Sequence, residues 1–309
     1  MVKFSIFLPA FKAAYLNDAI DSIVHQHCSD WELIIVNDGS PEDISRIVLP
    51  YCSDPRIKYF ENEQNLGAKD LVGFWNSNIA RCNGEYIVFA SDDDVYDLDY
   101  LQEMRRLSDL YPECNLLHCR VRHIDGQGRI SQLAQTAATY ETQADFIYQT
   151  LVWGRRLTLQ ECCFKKEPLK QAGGLVRFPL AWYSDWATAF LLAQCGVVYS
   201  QKVLLSFRMS RHNLSEQGKN CCQKIEAMKQ FALWLDSFLP SVNCASEDDR
   251  FLNNRTQRLY KDIVYSHYHQ YLPSLDAQAF FREMRFIRNH HIFTRKTRAS
   301  MFLRHFLFK

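Results

Sequence analysis

The chain has 309 residues, with 36 Lys and Arg against 35 Asp and Glu and a formal net charge of +1. That balance argues against a general nucleic-acid binder, which needs a basic surface to meet the phosphates. Hydrophobic residues make up 47%, as in ordinary globular proteins, and the length suits one large domain or a domain with a helical extension. The first nine residues hold too short an apolar run for a signal peptide. No stretch approaches the ~20 apolar residues of a spanning helix. The 11 cysteines are odd in number, and Cys162-Cys163 and Cys221-Cys222 are adjacent rather than at zinc-site spacing, so they read as reduced thiols. The expected location is the cytoplasm, with peripheral attachment to the inner face of the plasma membrane as an option.

Residues 3–8 predict a short apolar strand that ends at Pro9. Residues 17–27 place Ala19, Ile20, Ile23 and Val24 on one helical face. A second strand at 32–36 is closed by Asn37-Asp38-Gly39-Ser40, and Pro41 suits the first turn of the next helix. A third strand follows at 57–60 and a helix at 70–80. The strand at 86–90 runs into Ser91-Asp92-Asp93-Asp94. A helix at 99–111, a strand at 116–124 and a turn at Gly126-Gln127-Gly128 come next. Apolar strands alternating with helices predict a parallel sheet covered on both faces. Beyond residue 130 the rhythm changes, with helices at 143–151 and 185–194 and a strand region at 197–207. From Cys221 onward the pattern is one of amphipathic, aromatic-rich helices with breaks near Pro240 and Pro273.

Three adjacent Asp side chains at the end of a buried strand repel one another. A hard divalent cation with oxygen ligands, Mg²⁺ or Mn²⁺, removes that repulsion. Pro9-Ala10-Phe11, Asn37-Asp38-Gly39-Ser40 and the Asp run each follow an apolar strand. A parallel sheet therefore gathers them at its carboxyl edge, where open α/β sheets bind ligands. The fitting ligand is a nucleoside diphosphate. One Asp can accept the imide N–H of a uracil, another a ribose hydroxyl, and the next can bind the metal between the phosphates, while Gly39 permits close backbone approach. Each motif also has a plainer reading. Asp92, Asp93 and Asp94 can form a solvated turn, Asp38 an Asx-turn and cap, Asp185 a helix N-cap, and Arg208 and Arg211 ordinary surface charges.

The ordered series Phe4-Ser5-Ile6-Phe7-Leu8-Pro9, Ile34-Ile35-Val36-Asn37-Asp38-Gly39-Ser40, Asn65-Leu66-Gly67, and Gly84-Glu85-Tyr86-Ile87 leading to the Asp run resembles the family-2 glycosyltransferases. The match covers roughly the first 125 residues and continues more weakly through Gly173-Gly174, Ser184-Asp185 and Phe207-Arg208. The resemblance implies an inverting enzyme of the GT-A fold, with a mainly parallel Rossmann-like sheet and a C-terminal helical extension. It divides the chain into a catalytic domain at 1–217, with a nucleotide-binding half (1–125) and an acceptor half (126–217), and a helical region at 218–309. The implied substrate is a nucleotide sugar, with UDP expected, and the acceptor a glycan or lipid-linked glycan of surface polysaccharide synthesis.

Residue by residue, the resemblance assigns Pro9, Ala10 and Phe11 to the donor pocket and Asp38 to the base. It assigns Asp92 to the ribose, Asp93 with Asp94 to Mn²⁺ or Mg²⁺, and Asp185 to the general base. Arg208, Arg211 and His212 fall where the family closes over the diphosphate. The chain departs from the pattern at Asn37, where Asp is usual, and at Trp75-Asn76, where Arg-Asn is usual, leaving Lys69 as the candidate for the lost charge. Ser91 and Ser184 replace the acids that often open the third and fourth motifs. A non-catalytic nucleotide- or glycan-binding protein of this fold is the alternative reading. A sugar-nucleotide nucleotidyltransferase is disfavoured, because Pro9-Ala10-Phe11-Lys12 stands where a Gly-rich phosphate loop would be. After Glu283 the chain has no acid, and residues 292–309 read as a basic amphipathic helix that suits either an anionic membrane surface or packing on the catalytic domain.

Overall fold

The computed structural model describes residues 2–209, 220–268, 271, 275–289 and 295–307. Among them ten strands form one sheet: β1 (Phe4–Ala10), β2 (Trp31–Asn37), β3 (Ile57–Glu61), β4 (Tyr86–Phe89), β5 (Val95–Tyr96), β6 (Leu116–Ile124), β7 (Ile130–Leu133), β8 (Tyr140–Glu141), β9 (Cys162–Lys165) and β10 (Val197–Arg208). The order is β3-β2-β1-β4-β9-β6-β10-β5, with β7 added to β6 and β8 to β10. Helices α1 (Leu16–Val24), α2 (Ile44–Val48), α3 (Gly67–Asn78), α4 (Tyr100–Leu110), α5 (Gln143–Leu151), α6 (Lys166–Gln171) and α7 (Ser184–Leu192) connect the strands. They are followed by α8 (Cys221–Phe238), α9 (Glu247–Tyr268), α10 (Ala277–Asn289) and α11 (Arg295–Leu307).

The central strands are mostly apolar, Ser5 of β1 and Glu32 and Asn37 of β2 aside, because both faces are covered. Alternate side chains of a strand point to opposite faces. Phe4, Ile6 and Leu8 of β1 join one core with Ile20, Ile44 and Met104. Phe7 joins the other, with Val72, Phe146 and Phe190. That second core also takes Phe231, Leu235, Tyr260, Val264 and Phe280 from α8, α9 and α10. The C-terminal helices thus share their apolar interior with the sheet.

The sheet is parallel through β3, β2, β1 and β4 and again between β6 and β10. Between these two blocks runs β9, antiparallel to both neighbours. Sequence periodicity predicted no strand there: four residues are too few for a period-2 signal, and two of them are cysteines. Their role is packing, since Cys162 lies in one core and Cys163 in the other. All 11 cysteines are free thiols.

Helix α7 begins in an unusual way. Leu180, Ala181 and Tyr183, none of them glycine, have φ of 58°, 57° and 67°. Left-handed backbone costs an L-residue about 1 kcal/mol or more, so packing must hold it. Tyr183 stacks on Phe231 of α8 with centroids 4.4 Å apart, and its hydroxyl is 2.7 Å from Nδ1 of His267 on α9. Helix α11 packs inward through Met301, fully buried, and through Phe302 against Phe280, while Leu303 stays 61% exposed.

Candidate active site

Backbone hydrogen bonds draw the strand ends together. The Asp38 N–H donates to Ala10 O at 3.1 Å, joining the carboxyl ends of β1 and β2, and the Met209 N–H donates to Ile124 O, joining β10 to β6. Side chains complete the edge. Asp92 Oδ2 accepts from the N–H groups of Phe11 (2.9 Å) and Lys12 (2.8 Å), fastening the end of β1 to the Asp run. Asp94 Oδ1 accepts from the Arg208 N–H at 2.8 Å. Pro9, Ala10, Phe11, Asp38, Asp92, Asp93, Asp94 and Arg208 therefore meet on one rim, although they are separated by as many as 199 positions in the chain.

Asp38 is buried and both its oxygens are engaged. Oδ1 accepts from Asn62 Nδ2 (2.8 Å) and the Leu66 N–H (3.0 Å), and Oδ2 from the Gly67 N–H (2.7 Å). It thereby fixes the Asn65-Leu66-Gly67 turn at the start of α3. Gly39 has φ of 62°, and a Cβ there would lie 2.6 Å from the Gln64 carbonyl carbon, so only glycine lets the two loops approach.

The Asp run is buried, with Asp92, Asp93 and Asp94 at 6%, 7% and 1% exposure. Burial pushes the carboxyls of Asp92 and Asp94 above the usual range, and the neighbouring Asp93 charge adds to both shifts. Asp94 Oδ2 is a buried oxygen without a hydrogen-bond partner. Among the described residues no group of three or more His, Cys, Asp or Glu side chains forms a metal cage. An open site of one or two carboxylates completed by phosphates needs no such cage, and the orphaned Asp94 oxygen beside Asp93 fits that arrangement.

One cation lies on the run that the sequence reading did not select. Lys12 Nζ is 2.9 Å from Asp93 Oδ2 and 3.3 Å from Asp92 Oδ1. Burial opposes its charge, but the pull of the two carboxylates outweighs this and raises its pKa. The one signal available was its position, immediately after Phe11 at the end of β1.

Arg208 is 4% exposed. Its guanidinium donates to Asp93 O (2.8 Å), Asp125 O and Asp18 and lies 4.0 Å from the centre of the Tyr15 ring. It ties the run to β6 and α1. Lys69 is exposed at the start of α3, with Nζ 3.4 Å from Gln64 Oε1, and no contact brings it to the carboxylates. Arg211 and His212 lie outside the described residues.

Asp185 occupies the first turn of α7, half-buried. Its Oδ1 accepts from the Trp186 N–H at 2.8 Å. Burial among apolar groups pushes its carboxyl up to about 7, with a small added repulsion from Glu161, and the Trp186 hydrogen bond opposes the rise. The Trp186 indole N–H donates to Leu157 O, and the Tyr96 hydroxyl donates to Gln160 O. The 157–161 segment thus links the start of α7 to the residues just after the Asp run. A carboxyl titrating near neutral pH suits a general base.

Residues 5–163 match the family model for glycosyl transferase family 2. An uncharacterized glycosyltransferase of Haemophilus influenzae is 27% identical over 212 residues, 68% of this chain and 78% of that protein. The Escherichia coli UDP-Glc:alpha-D-GlcNAc-diphosphoundecaprenol beta-1,3-glucosyltransferase WfgD is 31% identical over 99 residues, 32% of this chain and 38% of that protein. The crystal structure of S. aureus TarS 1–349 in complex with UDP-GlcNAc superposes with a TM-score of 0.72 at 16% identity, over 98% of this chain and 87% of that one, a likeness of fold.

Proposed function

The chain belongs to glycosyltransferase family 2, and from that premise we propose that it moves a sugar from a UDP-linked donor to a hydroxyl of a glycan or lipid-linked glycan, with inversion at the anomeric carbon. The observation that carries this reading is the convergence of Asp38 and the Asp run at the ends of β2 and β4, linked through the 157–161 segment to the half-buried Asp185 carboxyl. WfgD, by its name, uses UDP-Glc and a diphosphoundecaprenol-linked acceptor, which supports this donor and acceptor class and a role in surface polysaccharide synthesis.

In the proposed mechanism Asp185, ionised, takes the proton of the acceptor hydroxyl as that oxygen attacks the anomeric carbon. In-line attack opposite the leaving diphosphate inverts the centre. Pro9, Ala10 and Phe11 line the donor, Asp38 meets the base, and Asp92 meets the ribose. Asp93 and Asp94 would hold Mn²⁺ or Mg²⁺, which supplies charge stabilisation to the departing diphosphate. The positive charge that meets the diphosphate is assigned by the family resemblance to Lys69 and to Arg211 and His212, the last two outside the described residues, whereas Arg208 acts through the Asp run it braces. No helix among the described residues is long and apolar enough to cross a membrane. The exposed Leu303 on a helix bearing Arg295, Lys296 and Arg298 supports contact with an anionic lipid surface.

The test is calorimetric titration of a panel of nucleoside diphosphates, with and without Mn²⁺, on wild type and Asp93→Ala. UDP should bind in a metal-dependent manner and the variant should lose that dependence. Equal UDP binding with and without Mn²⁺ in both proteins would remove the metal assignment, and no binding of UDP would remove the donor assignment.

A further inference from the structure

Lys12 and the Asp run hold the makings of a coupled switch between two cations. The Lys12 ammonium sits between Asp92 Oδ1 and Asp93 Oδ2 at 3.3 and 2.9 Å. Its backbone is pinned, because the N–H groups of Phe11 and Lys12 both donate to Asp92 Oδ2. Its side chain is not pinned in the same way: it is 32% exposed, against 7% and 10% for those of Asp92 and Asp93. A flexible four-carbon stem can therefore swing while its root stays in place.

We propose that Lys12 is a tethered counter-ion of the Asp run. It neutralises Asp92 and Asp93 in the free protein, is displaced from Asp93 when a divalent cation enters, and then pairs with the donor's diphosphate. The inference rests on the metal assignment made above. Its physical basis is competition: two cations cannot both lie within hydrogen-bond distance of the same Asp93 oxygen without strong repulsion. In the free protein, metal entry costs the Lys12 ion pair and sends the ammonium into water. With a nucleoside diphosphate present, the displaced ammonium finds phosphate oxygens instead. Metal and nucleotide therefore favour each other's binding, and by linkage the coupling is the same in both directions. No bond is made or broken; only ion-pair partners change.

The experiment is Mn²⁺ titration, followed by the electron paramagnetic resonance signal of the free ion, with and without UDP. It compares wild type, Lys12→Met, Lys12→Arg and Asp93→Ala. Met keeps the length and apolar stem of the side chain but not the charge. A neighbouring unit charge moves such an equilibrium by one to three orders of magnitude, so Lys12→Met should bind Mn²⁺ alone at least about tenfold more tightly than wild type. UDP should tighten Mn²⁺ binding markedly in wild type and Lys12→Arg, and much less in Lys12→Met. Unchanged or weaker Mn²⁺ binding in Lys12→Met, with binding lost in Asp93→Ala, would overturn the counter-ion role and leave the metal assignment standing. Undiminished coupling to UDP in Lys12→Met would overturn it as well. Absence of Mn²⁺ binding in every form, with UDP present, would overturn both.

Discussion

Asp185→Asn should abolish transfer while making the protein more stable. The folded carboxyl titrates at about 7 against an ordinary 3.8, chiefly because it is buried. A shift of roughly three units at 1.36 kcal/mol each corresponds to about 4 kcal/mol, and the edge of the half-buried group that meets solvent reduces this to about 2 kcal/mol. The sign follows from linkage. A carboxyl whose folded pKa is raised penalises the fold when ionised. The penalty is complete above about 7, shrinks as pH falls, and is gone below the ordinary 3.8. Asn cannot ionise, and its side-chain oxygen can still accept the Trp186 N–H. The variant should therefore be more stable than wild type by about 2 kcal/mol near pH 8, a rise in Tm of roughly 3 °C for a chain of this length, and no more stable near pH 4. The assay is paired thermal denaturation at the two pH values together with UDP release from the donor. Wild-type turnover should also climb nearly tenfold per pH unit on the acid side of 7 as the base ionises. The reasoning is refuted by an Asn variant that is less stable near pH 8, by a stability gap of the same size at both pH values, or by retained turnover.

Two further substitutions probe the frame of the site. Gly39→Ala places a Cβ against the backbone of Gln64 and Asn65 at a φ of 62°. It should cost more than about 2 kcal/mol in urea denaturation and weaken UDP binding by displacing the turn that Asp38 holds; wild-type stability would contradict the close approach. Glu32 is held at about 2: burial opposes its charge, but hydrogen bonds from Lys58, Ser5 and Asn83 outweigh that. Its folded pKa is depressed, so its stabilisation is present above about 4.5 and lost as pH falls toward 2. Glu32→Gln should cost about 2 kcal/mol at neutral pH and flatten the acid limb of the stability–pH curve, which chemical denaturation across that range measures.

Much of the frame was legible because its elements are long and periodic. The strand at 116–124 and the helix at 143–151 coincide with β6 and α5. The three motifs could be placed on one rim because each ends an apolar strand, and topology does the rest. Strand β9 was not legible, since a four-residue strand carries no period, and neither were the short β5, β7 and β8. The contacts inside the rim were hidden for a different reason. Lys12 meets Asp93 across 81 positions, and nothing local marks a lysine as the partner of a distant carboxylate. Arg208 reads from the sequence either as a cation that closes over the diphosphate or as an ordinary surface charge, because a sequence reveals a charge but not the backbone oxygens that enclose it. The left-handed turn before Asp185 was unreadable as well, because Leu180, Ala181 and Tyr183 have no local preference for it and are held by packing from α8 and α9.

That last dependence bears on how this chain can be recombined. Tyr183 leans on Phe231 and bonds to His267, so the residue that sets the entry of α7, two places before Asp185, is gripped from the far side of the chain. A chimera that joined residues 1–209 to another protein's terminal helices would inherit the whole stretch that matches the family model and still lack that grip. To work, the donor of the new helices would have to present a flat aromatic at the place of Phe231 and a hydrogen-bonding ring at the place of His267. Swapping the terminal helices among such proteins is therefore constrained by two side chains, on α8 and α9, that hold the turn before Asp185.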